Sequence, residues 1–195
     1  VAGIIASQGV NLYYYKEFKE FKVKVIGVAP GAKLIVGKVL TDKGYGFDSW
    51  IIKGIEWATY GTNGIRGDED FEADIISMSF GGLEIPNDGD DPTALAIDRA
   101  ISEGVVCVAA AANEGMGKST ITSPGVSRDV ITVGASTENW FMAHVYKYWP
   151  FYDPITKTYF TTLYENDQMI WWSSRGPTAD GRIDPDISAV GAWGI

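Results

Sequence analysis

Apolar runs that end in glycine or polar residues, separated by two helical stripes, constrain this chain more than any other feature. Val105 to Ala112 is unbroken apolar sequence that opens with β-branched residues, and it reads as a strand buried on both faces. Lys33–Leu40 and Asp74–Phe80 read as strands before it, and Asp129–Ala135 as another after it. Asp48–Tyr60 sets Ile51, Ile55 and Ala58 on one helical stripe, with Gly61 as a stop. Asp91 serves as a cap and Pro92 fits the first turn. Ala94, Ile97 and Ile101 form the second stripe, up to Gly104. Strand, helix, strand, helix, strand is the order of a parallel sheet with right-handed crossovers.

Such a sheet binds ligands outside the carboxyl ends of its strands. Three of those ends carry Gly44-Tyr45-Gly46, Ser79-Phe80-Gly81-Gly82 and Asn113-Glu114-Gly115. Glycines there let a ligand backbone come close to the protein backbone. A neutral amide donor beside them suits an oxygen that becomes negative during reaction. A dinucleotide site is a weaker fit. Gly44-x-Gly46-x-x-Ser49 lacks the third glycine, and the next strand ends without the acid that would hold a ribose. The single histidine, His144, lies in an aromatic stretch and reads as a packed ring, so the chain offers no general base of its own.

Length and charge narrow the classes further. The 195 residues suffice for one domain with a proper core. The net charge is −9, and residues 67–98 hold ten Asp or Glu and no Lys or Arg. That field repels phosphate backbones and argues against nucleic acid as a partner. Asn87-Asp88-Gly89-Asp90-Asp91 lacks the spacing of an EF-hand, so the acidic run reads as a solvated loop. The lone Cys107 reads as a small core side chain. No apolar stretch reaches membrane-spanning length. Residues 138–172 are dense in Trp, Tyr and Phe and break the strand–helix rhythm, as an inserted hairpin or extended arm would. The opening Val1–Ala6 reads as the inside of a helix and the last residues close no element, so both ends are expected to be internal to a longer protein.

Seven motifs stand in order along the chain: Gly27-Val28-Ala29-Pro30-Gly31-Ala32, Lys38-Val39-Leu40, the helix from Trp50 to Ala58, Ile76–Gly82, Ala110–Gly115, Ser123-Pro124-Gly125 and Ser173–Pro177. In this order they resemble the subtilisin-like serine proteases, and the insertions beside them resemble the pyrolysin-type branch. The resemblance implies a doubly wound α/β fold with helices on both faces and a serine endopeptidase working through a Ser-His-Asp mechanism. It implies a partial catalytic domain over 1–195, with insertions at about 7–25 and 138–170. It assigns Asn113 to the oxyanion hole. It assigns Ser79, Phe80 and Gly81 to one wall of a side-chain pocket, and Ala111, Ala112 and Glu114 to the other. Gly44, Tyr45 and Gly46 would pair with the substrate backbone by strand addition. It places the catalytic His just before Val1, the Asp before that, and the Ser after Ile195. Polypeptides are the implied substrates and an extracellular or cell-surface location is implied. No cofactor is required for the chemistry, while structural calcium is compatible with the family and no metal ligand is assigned. Two positions depart from the family pattern: Ala112 stands where Gly is usual, and Val190-Gly191 where Pro-Gly is usual. Together they leave an inactive binding or regulatory domain as the alternative.

Overall fold

The computed structural model describes residues 1–14, 22–67, 71–82, 86–137, 151–153, 158–160 and 169–191. It divides into two compact units, Val1–Lys38 and Val39–Ile195. In the first, helix α1 (Ala2–Ala6) leads into strand β1 (Gln8–Tyr14), which pairs antiparallel with β2 (Lys22–Ile26). The ladder pairs Gln8 with Ile26 and Tyr14 with Lys22, and its register shifts between Gln8 and Leu12. Backbone bonds from Val28 to Ile4 and from Ala29 to Ile5 tie the chain after β2 to α1. The segment read as an insertion at 7–25 thus contains β1 and all of β2 but Ile26.

The second unit runs through helix α2 (Asp48–Tyr60), strand β3 (Ile75–Met78), helix α3 (Pro92–Ser102) and strands β4 (Val106–Ala110) and β5 (Ile131–Ser136). Two short strands, β6 (Phe151–Asp153) and β7 (Thr158–Phe160), pair antiparallel, and β8 (Ile187–Val190) comes last. The main sheet is parallel, in the order β3-β4-β5-β8. One end of each helix is set by a local signal in the sequence. Gly61 ends α2 at φ 68°, where a Cβ would be strained. The Asp91 carboxylate accepts the amides of Thr93 and Ala94, both at 3.0 Å, capping α3 ahead of Pro92. Their apolar stripes meet the sheet in one core of Ile55, Ile97, Ala100, Met78, Val105, Cys107, Ala109 and Val130. Burial holds the Cys107 thiol up, with help from Asp98, at about 11.

The structure corrects three expectations. Lys33–Leu40 is apolar but belongs to no ladder among the described residues. A hydrophobic run favours burial, whereas a strand also needs a neighbouring edge for its N–H and C=O groups. β4 is buried on one face only: Cys107 and Ala109 point into the core, while Val106 is 46% exposed. Both α2 and α3 pack on that core face. The opposite face carries Ile75, Ile131 and Ile187, which are 63%, 38% and 54% exposed. The acidic loop is less purely solvated than expected: Asp91 caps α3, Asp90 pairs with Arg128 at 2.7 Å, and the Asp88 carboxylate accepts the Asp90 amide. Most of the aromatic stretch, His144 included, lies outside the described residues, so the arm expected there is not described.

Candidate active site

Three backbone segments of the second unit converge on a cavity of about 200 Å³. Gly44, Tyr45 and Gly46 form one side, Phe80, Gly81 and Gly82 another, and Ser123 and Pro124 a third. Leu40, Asp48, Ile51 and Thr93 complete the lining. A turn sets the first side: the Gly44 amide donates to the Thr41 carbonyl at 2.9 Å, and the Thr41 amide donates to Tyr45 at 2.8 Å. Tyr45 is left largely exposed. Only glycine fits at two of these positions. A Cβ on Gly46 would come within 2.7 Å of both the Leu40 side chain and the Val39 carbonyl. One on Gly81 would lie 2.7 Å from Thr122 Oγ1. The other two sides are joined where the Gly82 amide donates to the Ser123 carbonyl at 2.9 Å.

The wall at Ser123 is anchored from behind. Ser123 Oγ donates to the Asp91 carboxylate at 2.8 Å, the same oxygen that caps α3. Arg182 donates to the Val126 carbonyl at 2.7 Å, to Asp88 at 3.2 Å and to Ser127 at 3.3 Å, and its Nε reaches the Asp180 carboxylate at 2.8 Å. One guanidinium thus holds the loop after Pro124 to the acidic loop.

Beside this cavity, the chain leaving β4 passes through Ala111 to Gly115. Ala111 is buried with Ile121 and Val126. Ala112 has φ 86°, the left-handed region that non-glycine residues avoid. Asn113 and Glu114 are exposed, and among the described residues the Asn113 carboxamide makes no hydrogen bond. The backbone on both sides of it is fixed. The Ala111 amide donates to Val133, the Ser174 amide to the Ala112 carbonyl, and the Gly115 amide to Trp172, all at 3.0–3.1 Å. The Glu114 amide donates to Ser174 Oγ at 2.9 Å. The result is a rigid platform with one neutral amide facing solvent.

Of the expected site residues, Gly44, Tyr45, Gly46, Phe80 and Gly81 line the cavity together. Ser79 is exposed just past β3, and Ala111 sits behind the surface. Ala112 adjoins the Gly81 wall, since a Cβ on Gly81 would be 3.2 Å from the Ala112 methyl. Sequence reasoning missed Leu40, Asp48, Ile51, Thr93, Ser123 and Pro124 as lining residues, did not single out Ser174, and missed Arg182 altogether. Ile51 and Thr93 sit on helices whose stripes had been counted for the core alone. Ser174 was visible only as part of a motif. Among the described residues no three His, Cys, Asp or Glu converge as a metal site, and no helix is long and apolar enough to cross a membrane.

Residues 1–194 match the sequence model of the subtilase family of peptidases. The chain is 39% identical over 176 residues to pyrolysin of Pyrococcus furiosus, covering 88% of this chain and 12% of that protein. It is 38% identical over 167 residues to the serine protease AprX of Bacillus subtilis, covering 85% of this chain and 33% of that protein. Among solved structures it resembles sphericase, with a TM-score of 0.60 and 28% identity over 86% of this chain and 46% of that one. The chain therefore spans less than half the length of each of these relatives. Its motifs, its parallel sheet and this match over nearly its whole length agree: the chain belongs to the subtilase family.

Proposed function

We propose that this chain supplies the substrate cleft and the oxyanion-stabilising amide of a serine endopeptidase. The observation that carries the proposal is the exposed, uncommitted Asn113 carboxamide on a backbone fixed at both sides, next to a cavity walled by glycines. An extended polypeptide laid along residues 44–46 and 79–82 would place a side chain in the cavity. Its scissile carbonyl would lie toward Asn113. The amide is neutral, so its hydrogen bond strengthens only as the carbonyl oxygen becomes tetrahedral and negative. Glu114 cannot substitute, because an ionised carboxylate only accepts and would repel the oxyanion. The Ser nucleophile, the His that serves first as base and then as acid, and the Asp that orients it are proposed to come from outside these 195 residues, and the location to be extracellular or at the cell surface. No cofactor enters the chemistry, and no role is assigned to calcium.

The test compares the full-length protein with residues 1–195 made alone. The full-length protein should cleave denatured casein and be labelled covalently by a fluorophosphonate, while the 195-residue chain should do neither. A folded full-length protein that neither cleaves nor labels would overturn the proposal and favour a binding or regulatory role.

A further inference from the structure

We infer that Ser174 is a positioning residue for Asn113, an inference that rests on the oxyanion reading above. Ser174 is fully buried and sixty positions beyond Glu114 in sequence, yet it grips the chain on both sides of Asn113. Its own amide donates to the Ala112 carbonyl at 3.1 Å, and its Oγ accepts the Glu114 amide at 2.9 Å. Asn113 therefore stands between two peptide groups held by one residue. The grip continues on either flank. The Gly115 amide donates to Trp172 at 3.0 Å, and Thr120 Oγ1 donates to the Gly115 carbonyl at 3.0 Å. The Arg175 amide donates in turn to Thr120 Oγ1 at 2.9 Å.

The conformation being held is not one the chain would choose. Ala112 at φ 86° is strained, and strained residues persist only where their surroundings over-determine them. Without the Ser174 hydroxyl, the Glu114 amide loses its acceptor and the turn carrying Asn113 loses one of the two bonds that fix its aim. A hydrogen bond to a developing charge is sensitive to such aim, and a misplacement of about 1 Å costs on the order of 10² in rate. Ser173, next door and equally buried, is a natural control. Its Oγ accepts the Ala135 amide at 3.0 Å and donates to the Ser174 carbonyl at 3.4 Å, so it touches the Ser174 backbone but makes no bond to residues 111–115.

The test is a double-mutant cycle in the full-length protease with a small chromogenic peptide, using Ser174→Ala, Asn113→Ala and the pair, beside Ser173→Ala. Ser174→Ala should lower kcat by roughly 10–100-fold with KM within about threefold. In the Asn113→Ala background it should lower kcat by less than about threefold, since there is no amide left to aim. Ser173→Ala should leave kcat near normal at a similar loss of melting temperature. A large kcat loss from Asn113→Ala with a normal Ser174→Ala would overturn the positioning role alone. Equal kcat losses in Ser174→Ala and Ser173→Ala, or additive losses in the pair, would also overturn it. A normal kcat in Asn113→Ala would instead remove the oxyanion reading on which it stands.

Discussion

Replacing Ala112 by glycine should cancel or reverse the usual cost of an alanine-to-glycine change. At φ 86° an L-residue is disfavoured by about 1–2 kcal/mol, which glycine recovers. Against that, glycine makes the unfolded chain more flexible, costing about 0.4–1 kcal/mol. Ala112 is half-buried, so about half of a methyl's burial, roughly 0.4 kcal/mol, is lost as well. The net lies between about −0.4 and +1.2 kcal/mol, centred near +0.4. Ala111 is the internal comparison. It is 1% exposed and lies outside the left-handed region, so Ala111→Gly loses the full methyl and the chain entropy with nothing recovered. That sum is about 1.5 kcal/mol. For a domain of this size 1 kcal/mol moves the melting temperature by about 2–4 °C. Thermal unfolding of the full-length protein should therefore show Ala111→Gly falling by about 3–6 °C while Ala112→Gly stays within about 2 °C of the parent, or rises. If Ala112→Gly falls as far as Ala111→Gly, the strain at this position, and the reasoning about what holds it, is refuted.

Arg182→Ala should be among the more damaging single changes, because it strips charged hydrogen bonds from three backbone carbonyls and leaves Asp180 without its closest cation; a loss of about 3 kcal/mol, or roughly 6–12 °C in melting temperature, is expected, and a change under about 2 °C would contradict the anchoring role. Burial, the neighbouring Asp186 and Asp180 together raise the Asp184 carboxyl to about 6 despite Arg182 beside it. The folded state then binds more protons than the unfolded chain between about pH 4 and 6, so stability falls as pH rises through that window. Denaturant melts across it should show the fall and Asp184→Asn should flatten it; an unchanged slope in the variant counts against the assignment. Cys107, held at about 11 by burial, should resist iodoacetamide at pH 8 and react only with unfolding, and rapid alkylation of the native protein would place it outside the core.

The helices were the most legible part of this sequence. Asp91-Pro92 and Gly61 are local signals whose chemistry works without distant partners, and α3 begins and α2 ends where those residues put them. Lys33–Leu40 was misread because the missing ingredient, an edge to pair with, is not local. The short β8 was overlooked for a similar reason: Ile187–Val190 is exposed throughout and gains its identity from lying beside β5. The glycine-rich strand ends pointed to the cleft, since glycine marks close approach by its own chemistry. The residues that hold these loops from a distance were not readable. Ser174 acts on Glu114 across sixty positions, and Arg182 on Val126 across fifty-six, and neither carries a pattern that periodicity or capping rules detect.

The central proposal is that Asn113 acts on the transition state rather than on the fold, and kcat of the full-length Asn113→Ala protein, read beside its melting temperature, tests it most directly. The side chain is exposed and makes no hydrogen bond among the described residues, so stability should change by less than about 0.5 kcal/mol. On this account kcat falls by roughly 10²–10³, a magnitude carried over from subtilisin, a relative of this chain, rather than worked from its geometry. A kcat within a few-fold of the parent, with or without a fall in melting temperature, would contradict the account.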